Sequence, residues 1–359
     1  MDLTIYGWNE HWEKEWGARA PEGKTADWTG GRIFEEHKHL YRVHTVAGEM
    51  TAEVSGKFRY QAEADGDFPA VGDWVAAETR VAEGRATIQA LLPRRTRFSR
   101  KAAGNATREQ VVAANFDTVL IMSSLNQDFN LRRIERYLIL AWESGANPVV
   151  VLSKADLCED AAGKLTEVET VAMGVPVHAI SSPRGTGLEE LQPYFAAGKT
   201  VALLGSSGVG KSTLINALAG REILKVQEIR EDDAKGRHTT THRQLVLLPG
   251  GGMVIDTPGM RELQLWSGAA AIDETFEDID GYARLCRYND CRHRDEPGCA
   301  VRLAIEAGEL GPERLASYFK LKKELHYVES KQNQLLRLEQ KKKSKEINRY
   351  LKEFYKGRQ

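Results

Sequence analysis

The sequence predicts a multi-domain chain with three parts. These are an N-terminal β-barrel of the OB type, a central doubly wound α/β domain built on a phosphate-binding loop, and an α-rich C-terminal module organised by a metal. Three observations carry this. Short β-prone runs alternate with turns between residues 31 and 100. Apolar strands alternate with helical stretches from about 112 to 265, and one strand–helix junction is glycine-rich. Beyond residue 270, three of the four cysteines fall with a histidine inside fourteen residues. With 359 residues, the chain is long enough for two or three separate cores. Hydrophobic residues make up 42% and no apolar run reaches membrane-spanning length, so no membrane partner is expected.

The barrel is expected over 31–105, with five strands at residues 41–46, 50–54, 57–60, 73–77 and 86–91. A basic stretch, residues 93–101, follows them. OB-folds bind single-stranded nucleic acid through basic grooves and aromatics, whereas a generic β-domain of this kind makes protein contacts; the composition admits both. Residues 1–30 form an N-terminal extension. Its Trp8, Trp12 and Trp16 are spaced for an amphipathic helix packing on the barrel.

The α/β domain is expected over 112–265. Residues 114–122 read as its first strand, and Asn130 caps a helix carrying Leu131, Ile134, Leu138 and Ala141 on one side. Further buried strands are read at 147–152, 175–180, 201–204 and 253–255. The segment Gly205, Ser206, Ser207, Gly208, Val209, Gly210, Lys211, Ser212 and Thr213 fits the phosphate-loop pattern G-x-x-x-x-G-K-[ST]. Its glycines let backbone N–H groups face phosphate oxygens, aided by the N-terminus of the helix at 212–219. Lys211 would neutralise the β- and γ-phosphates, and the Ser212 hydroxyl would ligate Mg²⁺.

A second phosphate element, D-T-P-G, lies 45 residues after Lys211: Asp256 would hold a water on Mg²⁺ and the Gly259 N–H would meet the γ-phosphate. Between them stands G-R-H-T-T-T, residues 236–241. Thr240 is the expected additional Mg²⁺ ligand of a first switch loop. Met260 occupies the position where many such domains place a water-orienting glutamine, so His238 is the local candidate for that task; a structural or phosphate-contacting role is the other reading.

Guanine is expected as the base. In Ser153, Lys154, Ala155 and Asp156, the Asp156 carboxylate can accept from the N1–H and N2–H₂ edge, which adenine lacks, while the Lys154 stem covers the ring plane. Ser181, after the strand at 175–180, begins a closing loop under the guanine O6. This base-reading element comes about fifty residues before the phosphate loop, the reverse of the ordinary order. The parts are therefore those of a circularly permuted GTPase domain, a rotation that adjacent surface termini make feasible.

The C-terminal module, 270–330, holds Cys286-x₄-Cys291-x-His293-x₅-Cys299. Three thiolates and an imidazole suit one closed tetrahedral Zn²⁺ site of structural type. Paired disulfides are the rival reading, disfavoured by the reducing cytoplasm expected for a nucleotide enzyme. Cys158 is left as an ordinary buried thiol. The net charge of −1 is unevenly spread: from Phe319 to Gln359 there are 13 Lys/Arg against 5 Asp/Glu. The tail at 331–359 is thus expected as a basic helix with one apolar face, suited to nucleic acid.

The combination of barrel, rotated GTPase motifs and C-x₄-C-x-H-x₅-C resembles the RsgA family of small-ribosomal-subunit-dependent GTPases, over roughly residues 31–330. The resemblance implies a monomeric cytoplasmic enzyme that binds the 30S subunit, assists its late maturation and hydrolyses GTP in a 30S-stimulated manner. It further implies that barrel and zinc domain contact 16S rRNA, that Cys286, Cys291, His293 and Cys299 ligate zinc, and that residues 153–156 and 205–213 hold GTP. The alternative is an RNA-binding module whose nucleotide site only switches affinity. Ser153 stands where this family more often has Asn or Thr.

Overall fold

The structure is a computed structural model that describes residues 2–19, 27–37, 40–101, 109–126, 128–224, 243–256, 269–327 and 330. It divides into two compact units, one carrying the barrel and the α/β domain and one carrying the C-terminal module.

Five strands close the barrel: β1 (Trp28–His37), β2 (Leu40–Thr45), β3 (Gly48–Val54), β4 (Trp74–Arg80) and β5 (Arg85–Leu91). They pair in the order β1-β2-β3-β5-β4, and β4 returns to β1, so the barrel has no free edge. Ile33, Val43, Met50, Ala52, Val75, Ala77 and Ile88 fill its interior. The sequence expectation differs in two places. Residues 57–60 are not a strand but part of helix α2 (Gly56–Gln61), because the Ser55 hydroxyl caps it by accepting from the Phe58 N–H and Phe58 turns into the core. The missing fifth strand is β1, whose pattern is broken by a bulge between Ile33 and Glu35. Helix α1 (Glu10–Gly17), capped by Asn9, packs on the barrel as expected. Trp8 and Trp12 bring their rings to 5.0 and 5.9 Å from that of Trp74.

The basic stretch after the barrel contributes β6 (Arg97–Lys101), which pairs with β7 (Glu109–Ala114) in a separate hairpin. Within that stretch, Arg94 is nearly buried and grips the fully buried Asp73 at 2.7 Å while donating to the Gly66 and Phe68 carbonyls. The expected strand at 114–122 is interrupted: Asn115 has φ 54°, so the chain turns there before β8 (Thr118–Ser124) begins.

Strand β8 opens the α/β sheet. It is followed by α3 (Leu131–Glu143), β9 (Asn147–Ser153), α4 (Ala161–Glu169), β10 (Val177–Ala179), β11 (Thr200–Gly205), α5 (Lys211–Ala219), β12 (Gln244–Leu247) and β13 (Met253–Asp256). Strands β10-β9-β8-β11-β13 run parallel in that order, and β10 is shorter than the 175–180 expected. Every residue of β8 and β11 is buried, as helices on both faces of a parallel sheet require. Strand β12 joins antiparallel and also meets β1 of the barrel, at Glu35 opposite Gln244, with Arg243 on Glu36 at 3.2 Å. One eleven-stranded sheet thus runs through both domains.

The joint is organised by Arg32, a β1 residue only 2% exposed. Its guanidinium donates to the carbonyls of Tyr6 and Asn115 and to Thr200 Oγ1, and it lies 5.0 Å above the Trp74 ring. Burial pulls its pKa down to about 10, opposed by Asp117 and Asp73, so it remains a cation at neutral pH.

The second unit holds α6 (Ala269–Thr275), α7 (Glu277–Ala283), α8 (Ala300–Glu306) and a helix over 312–327. Ile272, Phe276, Ile279, Val301 and Leu321 are among its buried side chains. Buried Arg314 reaches Asp278 Oδ1 at 2.9 Å and the Thr275 carbonyl at 2.8 Å. The tail at 331–359 lies outside the described residues. Among those described, no helix is long and apolar enough to cross a membrane.

One buried ring makes the barrel's stability pH-dependent. His44 is stacked between Tyr6 and Phe34, both ring centroids 4.0 Å away. Burial, with Arg42 and Arg32 nearby, lowers its pKa to about 4. The fold therefore holds the neutral ring, whereas the unfolded chain takes up a proton as pH falls through about 6.5. Stability is lost between those two values, by about 2 kcal/mol from pH 7 to pH 5. His44→Phe, which keeps the stack, is expected to flatten that part of the profile when urea unfolding is compared at the two pH values. An unchanged slope would place the titration on another group.

Candidate nucleotide site and metal centre

The C-terminal ends of the parallel strands converge on one edge of the sheet, where open α/β sheets bind ligands. Strand β11 delivers the phosphate loop, β13 delivers Asp256, and β9 delivers residues 153–156. In the register, Gly205 stands beside Met122 of β8 and Ser153 beside Ser124, so the separated segments share this edge.

The loop itself depends on glycine. A Cβ at Gly205 would come within 2.7 Å of the Met122 carbonyl oxygen, and Gly210 has φ 102°. Gly210 is the N-cap of α5 and offers no side chain, so that helix starts without a side-chain cap. An uncapped helix N-terminus behind a curled glycine loop is suited to phosphate. The Lys211 ammonium donates to the Gly205 and Ser206 carbonyls, 2.8 Å each, partners it can exchange for phosphate oxygens. Asp256 is 6% exposed; burial raises its pKa and the charge of Lys211 works against that rise.

Ser153 is linked to the loop directly: its hydroxyl donates to the Val209 carbonyl at 2.6 Å. A short hydroxyl therefore bridges β9 and the phosphate loop at the position where longer side chains were the expected pattern. Lys154 adopts φ 59°, and the Ala155 N–H bonds the Ile180 carbonyl at 3.0 Å, which holds the 155–157 turn against the end of β10. The Asp156 side chain is 14% exposed, with Arg184 Nε 3.9 Å away. Ser181 is 2% exposed, and its hydroxyl has no hydrogen-bond partner among the described residues. A buried unsatisfied hydroxyl beside the 155–157 turn is what an incoming polar ligand would satisfy. Cys158, expected to be buried, is half-exposed. His238, Thr240, Gly259 and Met260 lie outside the described residues.

The sequence reading missed one wall of this edge. A cleft of about 540 Å³ runs beside the phosphate loop, lined by Ser206, Ser207, Gly208 and Lys154 on one side and by Ser124, Asn126, Asp128, Arg133, Arg136 and Tyr137 on the other. Only position in the chain could have signalled it: residues 124–130 follow a strand that ends at the same edge.

In the second unit, Cys286, Cys291, His293 and Cys299 place one ligand atom each, all within 4.8 Å of one another. No disulfide forms among them. His293 Nδ1 lies 3.6 Å from Cys286 Sγ and 3.5 Å from Cys299 Sγ, and the two sulfurs are 4.0 Å apart. A tetrahedral ion with ordinary Zn–S and Zn–N bonds would separate its ligands by about 3.6–3.8 Å. The four residues fit a metal of that size. His293 reaches the cluster with φ 57°.

Residues 91–266 match the family model described as RsgA GTPase. The chain is 54% identical over 297 residues to a protein of Lactiplantibacillus plantarum named small ribosomal subunit biogenesis GTPase RsgA 2, covering 83% of each. Among solved structures, that of YjeQ from Thermotoga maritima is similar with TM-score 0.63 and 30% identity, over 83% of this chain and 98% of that one. The fold also matches YloQ, described as a circularly permuted GTPase, with TM-score 0.60 and 23% identity over 86% of this chain and 98% of that one. A closed five-stranded barrel, rotated GTPase motifs on one sheet edge and a Cys₃His cluster thus accompany extensive sequence identity, and the chain belongs to the RsgA GTPase family.

Proposed function

We propose that this protein hydrolyses GTP in the maturation of the small ribosomal subunit and that the 30S particle stimulates the reaction. The observation that carries the reading is the sheet edge, where β11, β13 and β9 gather the glycine loop at 205–213, buried Asp256 and the turn at 153–156 out of chain order. The curated relatives' names supply the ribosomal context.

Each residue has a role that follows from its chemistry. The N–H groups from Ser206 to Thr213 surround the phosphates, and Lys211 leaves its two carbonyls to neutralise the β- and γ-oxygens. Ser212 and Thr240 are the Mg²⁺ ligands, with Asp256 holding a water on the ion. A Mg²⁺ ion held there would supply charge neutralisation to the phosphates. The Gly259 N–H meets the γ-phosphate. Asp156 reads guanine, Lys154 covers its face and the Ser181 loop closes under O6. Since Met260 cannot hold water, His238 positions the nucleophile in the 30S-bound protein.

The Cys₃His cluster holds one structural Zn²⁺, and this module and the barrel contact 16S rRNA. The second switch, residues 256–260, directly precedes the metal module in the chain. Through that connection GTP and the 30S subunit favour one state jointly, so each tightens the other's binding. The protein works in the cytoplasm as a monomer.

Purified 30S subunits are expected to accelerate GTP hydrolysis, and Lys211→Ala should reduce the stimulated rate by roughly a hundredfold or more. GTP binding without hydrolysis, with or without 30S, would instead make the protein a nucleotide-switched RNA-binding module. Asp156→Asn should weaken GTP by at least about tenfold and strengthen xanthosine triphosphate, whose C2 carbonyl takes a donor. Equilibrium binding showing unchanged preference would remove Asp156 from base recognition. Elemental analysis should find about one Zn²⁺ per chain, lost in Cys291→Ser while GTP binding persists. Metal-free protein from chelator-free purification would contradict the zinc assignment.

A further inference from the structure

Residues 124–133 belong to none of the nucleotide motifs, yet they reach the phosphate loop. The Ser206 hydroxyl donates to Asp128 Oδ2 at 2.8 Å. The same carboxylate oxygen accepts from Arg133 Nη1 of α3 at 2.7 Å. The Asp128 backbone is fixed in turn, because its N–H donates to Asn126 Oδ1 at 3.0 Å and that oxygen accepts from the Ser124 hydroxyl at 2.8 Å. A chain of hydrogen bonds therefore runs from the end of β8, through Asp128, to the second residue of the loop. On its inner side that residue offers its carbonyl to Lys211. Ser206 is held from both sides.

We propose that Asp128 is a positioning residue for the phosphate loop. It anchors the Ser206 side chain, so the peptides that follow keep their N–H groups turned towards the phosphates before any ligand arrives. The inference rests on the reading of residues 205–213 as the GTP-phosphate site. A loop ordered in advance loses less conformational entropy on binding, and the gain is shared by every nucleotide that uses the loop. GDP and GTP should benefit alike. The rate of the bound complex should not, because Asp128 acts through the Ser206 hydroxyl and takes no part in the phosphoryl transfer. The bond is charge-assisted but lies at the surface, where solvent screens it, which limits the effect to roughly three- to tenfold in affinity.

The test is a double-mutant cycle on the full-length protein, read as equilibrium Kd for GDP and for a non-hydrolysable GTP analogue, with kcat at saturating GTP. Asp128→Ala and Ser206→Ala should each raise both Kd values by roughly three- to tenfold. The double variant should be no weaker than either single one, since both remove the same bond. Asp128→Asn keeps an acceptor and should restore affinity to within about threefold of the parent. Saturated kcat of Asp128→Ala and Asp128→Asn should stay near the parental value. Additive losses, unchanged Kd values, or a fall in kcat with Kd preserved would overturn the proposal. Thermal unfolding of each variant guards against a folding defect, and Ser206→Ala, in a surface loop, supplies the readout should Asp128→Ala fail to fold. If the parent protein itself binds no guanine nucleotide, the phosphate-site reading fails, and with it the premise; if the parent binds and the cycle shows no coupling, only the role of Asp128 falls.

Discussion

A single buried cation holds the larger unit together. Arg32 reaches the N-terminal segment through Tyr6, the turn before β8 through Asn115 and the first residue of β11 through Thr200. Burying a guanidinium is costly unless its donors are satisfied. Here two backbone carbonyls and a hydroxyl take up the two terminal nitrogens and the Trp74 ring covers the guanidinium, while Nε has no hydrogen-bond partner among the described residues. Those partners come from both the barrel side and the α/β side of the joint. Losing any one of them would leave a buried charge less well paired, so the geometry of the joint is narrowly fixed. The pairing of β1 with β12 completes it, converting a barrel edge into an extension of the α/β sheet.

This joint lies at the opposite ends of the strands from the nucleotide motifs. Arg32 meets the start of β11, and the phosphate loop leaves its far end. A parallel sheet whose residues are buried on both faces is a stiff connector, because its side chains are packed and its backbone groups paired. At the motif end, the connections between strands are short hydrogen bonds through small residues. The Ser153 hydroxyl on the Val209 carbonyl ties β9 to the loop, and the Ser206 hydroxyl on Asp128 ties the β8 side to it. The rotated chain order has no effect on these contacts, since they depend on which strands are neighbours and not on which comes first.

Periodicity and motif spacing made much of this legible. The phosphate loop falls between β11 and α5, the Asn130 cap starts α3, and the Trp-rich extension forms a helix on the barrel. Readings failed where a local signal was outweighed. Residues 57–60 look β-prone, but the Ser55 cap and the burial of Phe58 settle a helix. Strand β1 was hidden by its bulge, which breaks the alternation that marks a strand. The run at 114–122 carries Asn115 and Asp117 near its start, but the apolar stretch from Val119 to Met122 drew the expected strand back across the turn that Asn115 makes.

By itself, the sequence determined which side chains are available: a glycine-rich loop of phosphate-loop pattern, the Asp156 carboxylate after a strand, and three cysteines with a histidine, each written as a short local pattern. Such patterns survive without a structure because the backbone geometry they need is local. The tertiary structure alone decided what lies beside them. That Asp128 meets Ser206 across 78 positions, that Ser153 meets Val209 across 56, and that Arg32 reaches Thr200 across 168 follows from strand order and register. No spacing rule encodes these contacts, because they arise only when sheet pairing brings separate strand ends to one edge.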